Sequence, residues 1–105
     1  IPEGDTTMTS TPRPQITALE QGSLFDTKRM EVSEGVQWPR HKASEESVLV
    51  VTEGQLIVEF PDTQPKLTAG DSIVIPAEVW HEIIPDPAFK AIHVMPKGIR
   101  FTFGH

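Results

Sequence analysis

The sequence predicts an all-β protein, and three features of the chain support this class. Short segments rich in Val, Ile and Phe are separated by Gly, Pro or Asp about every eight to twelve residues, as in sandwiches and barrels. No stretch keeps an apolar stripe at helical spacing for three turns. The ten prolines of the chain also argue against long helices.

The length of 105 residues allows one domain with a modest core and is too short for two. Residues 1–14 are rich in Thr, Pro, Ser and Gly without apolar periodicity, so we expect a flexible N-terminal tail there. The β domain is expected over residues 15–105. The first residues lack the basic and apolar regions of a secretory signal, and the sequence leaves open whether Met8 is the natural start.

Ten short strands are expected, and turn chemistry separates them. The strand over residues 55–60 has one apolar face, because Leu56, Val58 and Phe60 alternate with more polar neighbours. The segment 48–51 is apolar at every position, which indicates cover on both faces, by the core and by a partner sheet or subunit. Closing such strands into a barrel removes exposed edges. The expected strands cover residues 16–19, 28–33, 36–42, 46–52, 55–60, 65–68, 72–75, 79–84, 89–95 and 99–103.

Composition excludes several classes of function. The chain has no cysteine, which excludes disulfides, thiolate metal sites and cysteine nucleophiles and is compatible with the cytoplasm. The net charge is −6 without a basic cluster, so we expect no nucleic-acid partner and no binding to an anionic membrane surface. No apolar run approaches the roughly 18–20 residues that span a membrane.

Two histidines stand at the ends of two well-defined sequence frames. The first frame runs from His41 to Gly54 and the second from Gly70 to His81. Each frame combines strand residues with a tight turn. Such turns favour residues that tolerate a positive φ, and Gly54 and Gly70 stand at these places.

These frames resemble the two motifs of the cupin superfamily. Cupins carry a first motif with two His, a Glu or Gln and a closing Gly, and a second motif with Gly-Asp, Pro and His. The resemblance covers roughly residues 35–95, and it implies a single double-stranded β-helix, a jelly-roll barrel. Five residues fall at the family's spacing: Gly54, Gly70, Asp71, Pro76 and His81.

The family's metal site implies three His and one acid, but this chain matches only half of it. His41 and His81 correspond to the first and last ligands, whereas Ala43 and Ser47 occupy the positions of the second His and the acid. Glu78 also stands where the family often has a glycine before the last His.

A metal held by His41 and His81 would need a third ligand, because catalytic metal sites usually have three protein ligands. Glu45 shares strand parity with His41 and would give a two-His, one-carboxylate set. His93 is the other candidate, although a lone strand histidine is more often a hydrogen-bonded structural residue.

Two functions follow from these residues. The first is a small-molecule binding module whose pocket is lined by small and aliphatic side chains and rimmed by imidazoles, and whose ligand carries a carboxylate or phenol that accepts hydrogen bonds from the histidines. The second is a metal-dependent enzyme of the dioxygenase, isomerase or decarboxylase type, holding Fe, Mn, Ni or Zn, or a metal-free variant with a histidine as general base. The pocket residues expected are His41, Ala43, Ser47, Leu49, His81 and Ile83.

Surplus apolar residues predict a homodimer. Ile99, Phe101 and Phe103 alternate near the end of the chain and, with segment 48–51, exceed what the interior of one small barrel needs. Trp80 precedes His81 and should therefore face away from the pocket, where an interface or a ligand-stacking surface would use it.

Overall fold

A computed structural model of the chain describes residues 13–104, which form eight β-strands. Among these residues there is no helix that is long and apolar enough to cross a membrane. Most of the predicted tail, residues 1–12, lies outside the described residues. The strands are β1 Gln15–Gln21, β2 Phe25–Val32, β3 His41–Ala43, β4 Ser47–Glu59, β5 Lys66–Thr68, β6 Ser72–Ile75, β7 Glu82–Pro96 and β8 Phe101–Phe103.

The strands form a large sheet and a small one, and every pairing is antiparallel. The large sheet has the order β1-β2-β7-β4-β5, with β6 also paired to β4. Strand β4 is its centre, because β7 pairs along the length of β4 on one side while β6 and β5 pair with its two halves on the other. In the described part of the chain, the small sheet consists of β3 and β8.

Several predicted strand boundaries were wrong. The segments predicted at 46–52 and 55–60 are one strand, β4, because Glu53-Gly54 forms an irregularity in the ladder and not a reversal. The segments predicted at 79–84 and 89–95 likewise lie mainly in one strand, β7. The strand predicted at 36–42 begins only at His41, since the residues before it have no ladder partner in the described part of the chain.

Alternation along β4 builds the interior. Leu49, Val51, Leu56 and Val58 point inward and are at most 1% exposed. The core continues through Phe89 and Ala91 of β7 and through inward residues of β2, β5 and β6. The second half of β4 thus lies against dense apolar packing, whereas its first half begins at Ser47, a buried polar residue.

Gly54 allows β4 to change register without leaving the sheet. Its φ is 76°, a left-handed conformation, and the ladder with β7 shifts on both sides of it. A Cβ at this position would overlap the carbonyl oxygen of Ala88 and lie 2.9 Å from the Cα of Phe89. Only glycine fits here, because both neighbours are backbone atoms of the paired strand.

We predict that Gly54→Ala lowers the free energy of unfolding by about 3 kcal/mol or more, because backbone strain and overlap add. Gly98→Ala is the matched control: Gly98 has a similar φ of 80°, but a Cβ there would meet nothing within 4 Å. The control should lose only roughly 1–2 kcal/mol. Urea unfolding of both variants checks this, and equal losses would contradict the role of overlap.

Candidate functional site

His41 and His81 face each other across an antiparallel bridge. The His41 amide donates to the His81 carbonyl at 2.9 Å, and the His81 amide donates to the His41 carbonyl at 2.9 Å. Residues that exchange both backbone hydrogen bonds are directly opposite, so their side chains project from the same face. The two ring centroids are therefore only 4.4 Å apart.

The hydrogen bonds of the two rings determine which nitrogen carries the proton. Nδ1 of His41 lies 3.1 Å from the Pro39 carbonyl oxygen, and Nδ1 of His81 lies 2.9 Å from that of Val79. A carbonyl oxygen can only accept, so each Nδ1 is the donor. In the neutral ring Nε2 is then a lone-pair acceptor. The pair consequently offers two hydrogen-bond acceptors.

Burial keeps these imidazoles neutral. His41 is 5% exposed and His81 2% exposed, and this burial lowers the pKa of both below its usual value. The bonds from Nδ1 to the carbonyl oxygens oppose that shift, and the neighbouring His41 lowers the pKa of His81 further. At neutral pH the site therefore carries lone pairs and not imidazolium charges.

A cavity of about 170 Å³ opens beside the two histidines. It is lined by all six residues expected from the sequence: His41, Ala43, Ser47, Leu49, His81 and Ile83. Val51, which alternation also placed inward, is buried in the core and is not among the lining residues. The structure thus brings the expected residues together around one space.

Aromatic rings form one wall of this cavity. Trp38 stacks on His41 at 5.8 Å between centroids with an interplanar angle of 25°. Phe103 lies 5.4 Å from His41 and Phe101 6.1 Å from it. Both phenylalanines belong to β8, which pairs with β3 and is held beside the histidines by that pairing. The two phenylalanine rings are tilted by 41° and 67° to the His41 ring, so the wall offers apolar ring faces and edges to an aromatic ligand.

His93 contributes a third imidazole to the same cavity. Its Nε2 and the Ser47 hydroxyl are joined by a hydrogen bond of 2.9 Å. Lys28 of β2 is the register partner of His93 and also lines the cavity. Burial, and then the charges of Lys28, His41 and His81, lower the pKa of His93 to about 4.

Trp80 lies outside the cavity lining, in keeping with its predicted direction. The Arg40 guanidinium lies 5.0 Å and the Lys42 ammonium 5.3 Å from the centre of its ring. Glu78 has a φ of 61°, the conformation that a glycine would adopt most easily, and its carboxylate is 3.4 Å from the Lys42 ammonium. The turn therefore keeps a left-handed residue although the glycine is absent.

Several lining residues were missed by sequence reasoning. Lys28, Met30 and Met95 line the cavity from β2 and β7, and Ile16 does so from β1. Strand parity could have found Lys28 and Met30, because they share a face with the buried Val32. Nothing in the sequence indicated that β1 reaches this space.

Comparison with known proteins identifies the family. The family model described as a cupin domain matches residues 28–88, more than half of the chain. The chain belongs to the cupin family. A comparison with curated proteins gave no match.

Solved structures share the fold of this cupin at low sequence identity. A cupin-2 domain protein from Shewanella frigidimarina is 24% identical with a TM-score of 0.72, over 79% of this chain and 80% of that one. A cupin 2 domain-containing protein from Halorhodospira halophila is 19% identical with a TM-score of 0.78, over 88% and 70%. Salicylate 1,2-dioxygenase from Pseudoaminobacter salicylatoxidans, solved with gentisate, is 14% identical with a TM-score of 0.76, over 86% of this chain and 29% of the enzyme. The predicted all-β cupin fold is confirmed.

The donor set of this cupin does not fit a three-ligand metal centre. The Nε2 lone pairs of His41 and His81, each with Nδ1 bonded to a carbonyl, are oriented as metal-binding imidazoles usually are. Glu45, however, is exposed and does not line the cavity, and Nε2 of His93 is bonded to Ser47. Within residues 13–104, no three side chains of the His, Cys, Asp or Glu type are grouped to hold a metal ion.

We predict that the cupin loses stability as the pH falls from about 6.5 toward 4. His93 has a lower pKa folded than unfolded, so in this range the unfolded chain binds the extra proton. The stabilisation is complete above pH 6.5, and at most about 3 kcal/mol is lost by pH 4.

Denaturant unfolding between pH 7.5 and 4.5 measures this loss. His93→Gln, whose amide can still bond Ser47, should show a shallower fall. The remaining slope reports His41 and His81, whose pKa values are also lowered by burial. Equal slopes for the two proteins would contradict the assignment to His93.

Proposed function

We propose that this cupin binds a small molecule of about one ring in the cavity beside His41 and His81, without a firmly held metal. The observation that carries the proposal is the combination of a mainly apolar cavity with a few polar side chains in its wall. Such a combination binds by shape and orients its ligand by hydrogen bonds.

The size of the cavity supports a ligand of this kind. A cavity of roughly 150 Å³ is enough for benzene in a protein interior, and the cavity here is about 170 Å³. The small side chains of Ala43 and Ser47 leave this space, because a histidine and an acid at these positions would extend into it. The two substitutions that remove ligands from the family's metal motif are therefore also the ones that make room for the cavity.

We predict that phenol, used as a probe, binds with a Kd of roughly 0.1–1 mM, as expected for a ligand of few atoms. Its binding should shift the methyl NMR signals of Ala43, Leu49 and Ile83. Ala43→Leu fills the cavity and should abolish binding, whereas Ala69→Leu, the same change at an exposed turn, should leave it intact. Binding that survives Ala43→Leu would contradict the proposed location.

The metal-dependent enzyme is the alternative, and metal content separates the two. Untagged protein is analysed for Fe, Mn, Ni and Zn beside a His41→Ala, His81→Ala variant of confirmed fold. We expect far less than one metal ion per chain in both proteins. A stoichiometric metal that is lost in the variant would overturn the metal-free proposal and favour the enzyme.

We also propose that two copies of the chain associate as a homodimer. Ile16, Phe101 and Phe103 are 47%, 38% and 57% exposed, and all three surround the cavity. Every residue of β1 except Leu19 is exposed, and within residues 13–104 this strand pairs only with β2. An exposed edge strand beside apolar side chains favours pairing with another chain.

Sedimentation equilibrium at micromolar concentration should give about twice the chain mass of 11.6 kDa. Ile16→Glu should shift the protein toward the monomer, because it places a charge in the proposed interface. Val74→Glu is the control: Val74 is 52% exposed and is not among the cavity-lining residues. A monomeric wild-type protein would contradict the dimer.

A further inference from the structure

The acceptor character of the histidine pair restricts the chemistry of a ligand. Nδ1 of His41 and of His81 is occupied by a backbone carbonyl, so only Nε2 is left toward the cavity. A lone pair repels a carboxylate or a phenolate oxygen and accepts from a hydroxyl. The sequence had suggested a ligand that accepts hydrogen bonds from these histidines. The geometry favours the reverse direction, a ligand that donates.

The charge of the cavity comes from a different residue. Among the lining residues that the structure describes, Lys28 is the only lysine, and none is Asp, Glu or Arg. Within residues 13–104 it makes no ion pair, whereas Lys42, Lys66, Lys90 and Lys97 each have a carboxylate partner. An ammonium group beside an apolar space favours an anionic group nearby.

The two recognition elements lie in different parts of the cavity wall. Lys28 is opposite His93 in the β2–β7 ladder, and His41 is on β3 of the small sheet. The Phe101 ring is near both histidines, with its centroid 6.1 Å from that of His41 and 6.4 Å from that of His93. A planar ring against Phe101 could therefore direct one substituent to each element.

We infer that the cavity takes a one-ring molecule with a hydroxyl that donates to Nε2 of His41 or His81 and an anionic group that faces Lys28. This inference rests on the proposed function and names the class of its ligand: a hydroxylated ring acid. The hydroxyl holds one end of the ligand at the histidine pair, and the carboxylate directs the other end toward Lys28 on β2.

Matched probes test the two elements separately on the full chain at pH 7.5. Meta-hydroxybenzoate carries both groups, benzoate lacks the hydroxyl, and meta-hydroxybenzyl alcohol lacks the charge. We expect each deletion to weaken binding about 5–10-fold, as for one hydrogen bond or one partly exposed charge pair. NMR titration or calorimetry gives the three dissociation constants.

Variants assign each effect to its residue. Lys28→Met should weaken meta-hydroxybenzoate about 5–10-fold and leave meta-hydroxybenzyl alcohol unchanged. The His41→Leu, His81→Leu variant should bind benzoate and meta-hydroxybenzoate equally. Lys28 is only partly buried and its substitution leaves the histidines in place, so the test stands even if the histidine variant does not fold.

The outcomes distinguish this inference from the proposed function. If all three probes bind equally well and Ala43→Leu still blocks them, the proposed ligand class is overturned but the proposed binding cavity stands. Loss of meta-hydroxybenzoate binding in Lys28→Met together with equal loss for the uncharged alcohol would overturn the role of the ammonium. No binding of any probe, phenol included, would overturn both.

Discussion

The reciprocal backbone hydrogen bonds between His41 and His81 hold the candidate site together. Strand β3 of the small sheet is bonded to the segment between β6 and β7 of the large sheet. The bonds are this bridge and a hydrogen bond from the Glu78 amide to the Ala43 carbonyl. If one of the two segments slipped by one residue, its histidine ring would point to the opposite face and the ring pair would be lost. The ring pair, the aromatic wall and the mouth of the cavity all depend on this register.

The same arrangement explains why the histidines act as acceptors. Each ring turns back toward the carbonyl two residues before it in the chain, Pro39 for His41 and Val79 for His81. This repeated local contact fixes the tautomer of both rings by the same means. The polarity of the site thus comes from backbone oxygens that do not themselves face the cavity.

The sequence predicted the fold and the cavity residues far better than the strand boundaries. Turn residues at family spacing were sufficient for the fold, and alternation placed Ala43, Ser47 and Leu49 on the inward face. Glu53-Gly54 looks like a hairpin turn in the sequence, but whether such a pair reverses the chain or bulges depends on β7, which is distant in the sequence. The hydrogen-bond partner of Ser47 could not be predicted for the same reason, because cross-strand neighbours are set by register.

The bulge at Gly54 also has a consequence for how this protein could change over generations. It divides β4 into a half that packs the core around Leu56 and Val58 and a half that faces the cavity at Ser47 and Leu49. Replacements in the cavity half need not disturb the packing of the other half, since distant sites usually contribute independently to stability. Single substitutions in the cavity half of β4 can therefore change which ligand is bound while the packing around Leu56 and Val58 is kept.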